Sequence, residues 1–131
     1  MDLMIRPFQE SDFPRIVELI MEEKWTNLVS KQDQYLSALL TSNPTLVATV
    51  NETVVGYIRG LTDQHISLYI CELLVDQAYR KYGIGKELIE KAHDLYPATR
   101  VELLASSTSH TYYEQQKYRP FYGYRKAAEE M

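Results

Sequence analysis

Leu73-Leu74-Val75-Asp76-Gln77-Ala78-Tyr79-Arg80-Lys81-Tyr82-Gly83-Ile84-Gly85-Lys86 is the stretch on which the reading of this chain turns. An apolar run ends, a short polar loop follows, and two glycines open a helix. The helix carries Ile84, Leu88, Ile89, Ala92 and Leu95 on one face before Pro97 closes it. Glycine lets the backbone turn tightly and approach a ligand without a Cβ in the way. Amides exposed at a helix start, reinforced by the helix dipole, attract anions. Arg80, Lys81 and Lys86 add positive charge at the same place. A Walker loop requires glycine where Arg80 stands, and a dinucleotide fingerprint requires a small residue where Leu88 stands. A glycine-relieved helix start without a ligand is the remaining alternative.

Outward from this turn the pattern is mixed. Met4-Ile5-Arg6-Pro7 reads as an opening strand, and Asp12 offers an oxygen to cap a helix carrying Phe13, Ile16, Val17 and Ile20. Ser30-Lys31-Gln32-Asp33 opens a second helix with Tyr35, Leu36, Leu39 and Leu40 at helical spacing, ended by Asn43-Pro44. Leu46–Val50 and Val54–Ile58 flank Asn51-Glu52-Thr53 as a hairpin, and His65 to Val75 forms a third apolar run. Past the glycine helix, Arg100 to Ala105 alternates as a strand, Thr111 to Lys117 suits a short helix, and Phe121 to Arg125 suits a last strand. The expected order is β-α-α-β-β-β-α-β-α-β, one mixed α/β domain over residues 1–131. Only residues 66 to 105 require a parallel crossover.

Arg80-x-x-Gly83-x-Gly85, set after Leu73-Leu74-Val75 and before an amphipathic helix, resembles the Arg/Gln-x-x-Gly-x-Gly/Ala motif of the GNAT N-acetyltransferase superfamily. Ile5-Arg6-Pro7 with Asp12 is similar to that family's opening strand and first helix, and the element order is similar to its fold with a splayed mixed sheet. The resemblance implies that Arg80, Lys81, Tyr82, Gly83, Ile84 and Gly85, helped by Lys86, hold the pyrophosphate of acetyl-CoA. It implies that Leu73, Leu74 and Val75 bind the pantetheine arm through main-chain groups, with the Leu74 amide polarising the thioester carbonyl. A second motif, from Ser106 to Tyr118, places Tyr113 where the family keeps a tyrosine that protonates the departing thiolate. Here Ser106 replaces an asparagine that contacts pantetheine, and Lys117-Tyr118 replaces Gly-Phe, which alters the turn into the last strand. In a chain with 11 tyrosines, Tyr113 as one more packed aromatic is the alternative reading.

For the general base the first candidate is Glu72, an acid inside an apolar strand whose burial would raise its pKa. A solvent-facing charge is the alternative, and Tyr69 with a water chain is a further option. His65, His93 and His110 lack metal-ligand spacing with one another or with Cys71, so no metal is expected. His93 is expected on the solvated face of its helix, and His110 near the second motif.

Bulk properties set broad limits. A net charge of -4 argues against nucleic acid or anionic membrane as a partner. One cysteine, Cys71, suits a reducing cytoplasmic location, and neither a signal peptide nor a spanning run is visible. The acceptor is expected to be a small-molecule or peptide amine. Glu22, Glu23 and Trp25 suit an amine cation, although an exposed helix end accounts for them as well. Homodimers are common in the family, and the tyrosine-rich final strand is compatible with one. The altered second motif leaves a rival: a CoA-binding sensor of the same fold without turnover. An ordinary nucleotide-binding domain is the third.

Overall fold

The computed structural model describes residues 1–106 and 109–131. Five strands form one sheet in the order β1-β2-β3-β4-β5: β1 Leu3–Pro7, β2 Thr45–Val50, β3 Thr53–Thr62, β4 Ser67–Val75 and β5 Arg100–Leu103. The first four are antiparallel neighbours, and β5 runs parallel to β4. Helices α1 Phe13–Glu22, α2 Thr26–Val29 and α3 Gln32–Thr41 lie between β1 and β2; α4 Ile84–Leu95 links β4 to β5, and α5 His110–Gln115 follows.

The core divides by sheet face. Leu46, Ala48, Ile58, Leu68 and Ile70 pack against Ile84, Leu88 and Ala92 of α4. Val47, Val54, Tyr57 and Leu74 pack on the other face against Ile16, Leu19 and Ile20 of α1 and Tyr35 and Leu39 of α3. Alternation along a strand assigns each residue to a face, so any change of phase moves side chains between the two cores.

Such a change occurs in β4. Arg59 of β3 pairs with Glu72, but the next residue, Gly60, pairs with Ile70, leaving Cys71 as the extra residue of a bulge. Before the bulge, Leu68 and Ile70 face α4; after it, Leu74 faces α1 while Leu73 and Val75 face α4. β5 pairs with β4 only from Ser67↔Arg100 to Ile70↔Leu103. Beyond Ile70 the two strands part.

Several local expectations need correction. Asp12 does not cap α1; its carboxylate accepts both Arg6 nitrogens (2.8 Å each) and the Gln9 amide (2.8 Å), closing a 3-10 turn over Glu10–Asp12. Burial pushes that carboxyl up, but Arg6 and the Gln9 amide outweigh it and hold Asp12 below the usual carboxylate range. The second helix forms as α3, the short α2 precedes it where a loop was expected, and Leu40 is exposed rather than packed. The last strand is not formed: residues 118–127 have no regular structure, and Phe121, Tyr122 and Tyr124 are 79%, 94% and 94% exposed. Alternating aromatics favour a strand only where a neighbouring edge receives them.

Candidate active site

The parting of β4 from β5 opens a cleft of about 760 Å³. Along it lie Glu72, Leu73, Leu74 and Val75 of β4, the turn residues Arg80, Lys81, Gly83, Ile84 and Gly85, and Ser106 and Tyr113 from the chain's last third. Tyr82 and Lys86 fall outside this lining: Tyr82 is largely exposed, and Lys86 borders a smaller groove with Tyr112 and Tyr118. Residues 107–108, inside the second motif, lie outside the described residues.

The glycine turn has a backbone that can receive an anion. Gly83 is the N-cap of α4 with φ +78°, a left-handed conformation that glycine adopts without penalty. Ile84, Gly85 and Lys86 precede the first intrahelical bond, Glu87 N–H to the Gly83 carbonyl (3.0 Å), so their amides face outward at the positive helix pole. A Cβ on Gly85 would stand 3.7 Å from Leu73 and 3.8 Å from Val75, narrowing the cleft where β4 passes the turn. An elongated ligand with a terminal pyrophosphate fits these residues: amides and cations lie at one end and a strand edge along the shaft.

Which β4 amides face that shaft follows from alternation. A Cβ on Gly56 would lie 2.9 Å from the Leu74 carbonyl, and Asp76 N–H donates to the Val55 carbonyl (2.7 Å), so Leu74 turns its peptide groups to β3. The Val75 carbonyl accepts from Arg80 Nε (3.0 Å) on the other side. Leu73 and Val75, not Leu74, therefore direct main-chain groups into the cleft. The Leu74 amide, expected to polarise the thioester, thus points to β3 rather than into the cleft.

Glu72 does not stand alone in its strand. Its Oε1 accepts from Tyr35 Oη (2.5 Å) and Arg59 Nε (2.6 Å), and its Oε2 accepts from an Arg59 terminal nitrogen (2.7 Å). Tyr57 Oη lies 2.8 Å from Tyr35 Oη, and the Arg59 guanidinium stacks 5.6 Å from the Tyr35 ring centre. Hydrogen bonding to Glu72 holds the Arg59 pKa above its ordinary value; burial, then Tyr57 and Glu72, push the Tyr35 phenol up. The acid expected inside an apolar strand is thus partnered, and three of the carboxylate's roughly four acceptor sites are taken. Arg59, Tyr35 and Tyr57 are the members of this cluster that the sequence reading missed. A lone arginine inside the apolar β3 run was the available signal for a partner to a lone glutamate in the next run.

Tyr113 is half-buried, edge-on to Tyr112 (5.1 Å between centroids) and to Tyr118 (5.5 Å). Burial, with Tyr112 and Tyr118 adding to it, pushes its phenol up to about 12, so it keeps its proton at neutral pH. Ser106 is held locally: its Oγ lies 3.0 Å from Ser109 Oγ and accepts from Ser109 N–H (3.2 Å). Lys117 adopts φ +73°, with Tyr118 N–H returning to the Tyr113 carbonyl (3.1 Å). A lysine at the position where the family pattern has glycine thus adopts a left-handed turn. Cys71 is half-buried, and burial raises its pKa, which lowers its thiolate fraction. His93 is half-buried, and its Nε2 lies 2.9 Å from the Thr99 carbonyl. His110 is exposed beside Glu114 (3.4 Å).

Among the described residues no group of three or more His, Cys, Asp or Glu is placed to hold a metal ion, and no helix is long and apolar enough to cross a membrane. No curated protein matches the chain. A GNAT family acetyltransferase of Streptococcus pneumoniae superposes with TM-score 0.70 at 24% identity, covering 89% of this chain and 87% of that one. A GNAT-family acetyltransferase of Xanthomonas campestris superposes with TM-score 0.75 at 17% identity, covering 97% and 94%. The PaiA N-acetyltransferase of Thermoplasma acidophilum, solved with coenzyme A, gives 0.73 at 16% identity, covering 88% and 89%. The family model for the acetyltransferase (GNAT) domain matches residues 9–129, which contain the parted strands, the glycine turn and Tyr113, and the chain belongs to that family.

Proposed function

We propose that this chain moves the acetyl group of acetyl-CoA to a primary amine by direct attack within a ternary complex. The observation that carries the reading is the parting of β4 from β5 after Ile70, with the glycine turn at one end of the cleft and Tyr113 in its wall. Acetyl-CoA is the donor substrate and supplies the acetyl thioester. Arg80 to Gly85 and Lys86 receive its pyrophosphate, the Leu73 and Val75 main chain aligns its arm, and Ser106 borders the arm. The Leu73 amide, closest to the point where the strands part, stabilises the developing oxyanion.

Tyr113 donates a hydrogen bond to the departing sulfur. Its phenol, raised to about 12, is protonated at neutral pH and passes that proton to the sulfur as the C–S bond breaks. Glu72 stands on the acceptor side, fixed by Arg59 and Tyr35, and takes the amine proton at the acceptor site left on Oε2. Holding both substrates in one cleft supplies the rest of the acceleration through proximity.

Acetyl-CoA consumption over a broad amine panel tests this reading, with intersecting double-reciprocal plots expected for the accepted amine. Parallel plots with an acylated Cys71 would overturn it. The local engagement of Ser106 with Ser109 favours the second reading, a CoA-binding sensor. Tight CoA binding with no turnover across the panel would select that one.

A further inference from the structure

Two opposite charges meet across the cleft, each at the unfavourable end of a helix. Glu23 is the C-cap of α1, where carbonyls concentrate negative potential. It is held there firmly: its N–H is shared between the Leu19 and Ile20 carbonyls (3.2 Å each), and Trp25 N–H returns to the Ile20 carbonyl (3.2 Å). Lys24 between them takes φ +62° to close the helix end. Arg80 lies just ahead of Gly83, the N-cap of α4, where amides concentrate positive potential. An Arg80 terminal nitrogen donates to Glu23 Oε1 while its Nε holds the Val75 carbonyl (3.0 Å). Both side chains, with Trp25, line the same cleft.

We infer that the Arg80–Glu23 pair is a latch opened by the donor, and that the Glu23 carboxylate it releases receives a cationic group of the acceptor. The inference rests on the reading that Arg80 to Gly85 holds the pyrophosphate. A pyrophosphate there meets the α4 amides and carries more charge than one carboxylate, so it draws the Arg80 guanidinium away. Little is lost, because a partly exposed ion pair contributes little net stability. Glu23 is then a carboxylate at the negative pole of α1, in a cleft that Trp25 also lines, with its cation removed. That combination suits an amine with a second ammonium group. Coupling of this kind is reciprocal: donor binding strengthens acceptor binding by the factor that acceptor binding strengthens donor binding.

CoA binding by calorimetry to wild type, Glu23→Gln and Glu18→Gln tests the latch. Glu18, an exposed acid earlier on α1, removes the same charge without touching Arg80. Glu23→Gln frees Arg80 in advance, so its CoA Kd is expected to fall about two- to fivefold, while Glu18→Gln leaves it unchanged. With CoA saturating, wild type is expected to bind 1,4-diaminobutane more tightly than without CoA, and Glu23→Gln to show no such gain. An unchanged CoA Kd in Glu23→Gln, equal tightening in Glu18→Gln, or diamine binding indifferent to CoA overturns the latch. Failure of wild type to bind CoA at all overturns the assignment of the glycine turn itself.

Discussion

The two ends of β4 differ in what surrounds them. Ser67–Ile70 has β3 on one side and β5 on the other, and its inward residues Leu68 and Ile70 are buried against α4. Glu72–Val75 keeps β3 but has lost β5, and its side chains are a carboxylate held by three hydrogen bonds and apolar residues bordering a cleft. One extra residue, Cys71, separates the two. The first half holds the sheet together by burial, and in the proposed function the second presents main chain and charge to ligands. Stability and chemistry are thus divided along a single strand.

The largest effect that sharpens this contrast is on turnover. Tyr113→Phe is expected to lower kcat about 10²- to 10⁴-fold with CoA affinity preserved, read by steady-state kinetics beside CoA calorimetry. Next come two stability effects of different origin. Leu68→Ala, in the closed half, leaves a cavity in a fully buried position and is expected to cost about 2–5 kcal/mol in urea unfolding, with CoA affinity of the folded protein unchanged. Arg59→Met, opposite the open half, strands the Glu72 carboxylate and is expected to cost about 2–3 kcal/mol while also altering the pH profile of kcat/KM. If Leu68→Ala weakened CoA binding as much as Arg59→Met altered the profile, the division along β4 would fail. Smaller still, Lys117→Gly relieves a left-handed lysine and is expected to gain about 1 kcal/mol in the same assay.

The pH effect is spread over a wide range. Tyr113 in the folded protein is raised to about 12 from an ordinary value of 10.0, so folding favours its protonated form. Its contribution is fully present below the unfolded value and is lost as pH rises from there through about 12. Urea midpoints between pH 9 and 12 should fall with rising pH in wild type and less steeply in Tyr113→Phe.

Legibility followed locality. The turn at Gly83 and Gly85 could be read because a short run of residues fixes both its backbone and its charge. The helical stripe of α4 was readable for the same reason, as one side of a repeating pattern. Glu72 was singled out, yet its pairing with Arg59 depends on a strand register that includes a bulge, and nothing in the sequence around Cys71 signals one. The same register turns the main chain of Leu73 and Val75, and not that of Leu74, toward the cleft. Asp12 has an N-cap's chemistry, but Arg6, brought near by the turn after β1, claims its oxygens. Phe121 to Arg125 has a strand's pattern without a partner edge to hold it, and pattern alone does not form a sheet.

The central claim is that the open half of β4 and the glycine turn together bind the acyl donor. Backbone amide shifts of 15N-labelled protein titrated with CoA test it most directly. The account predicts shifts concentrated at Leu73, Val75 and Lys81 to Lys86, with Ser67 to Ile70 nearly silent. Shifts confined to other surfaces, or equal along both halves of β4, would contradict it.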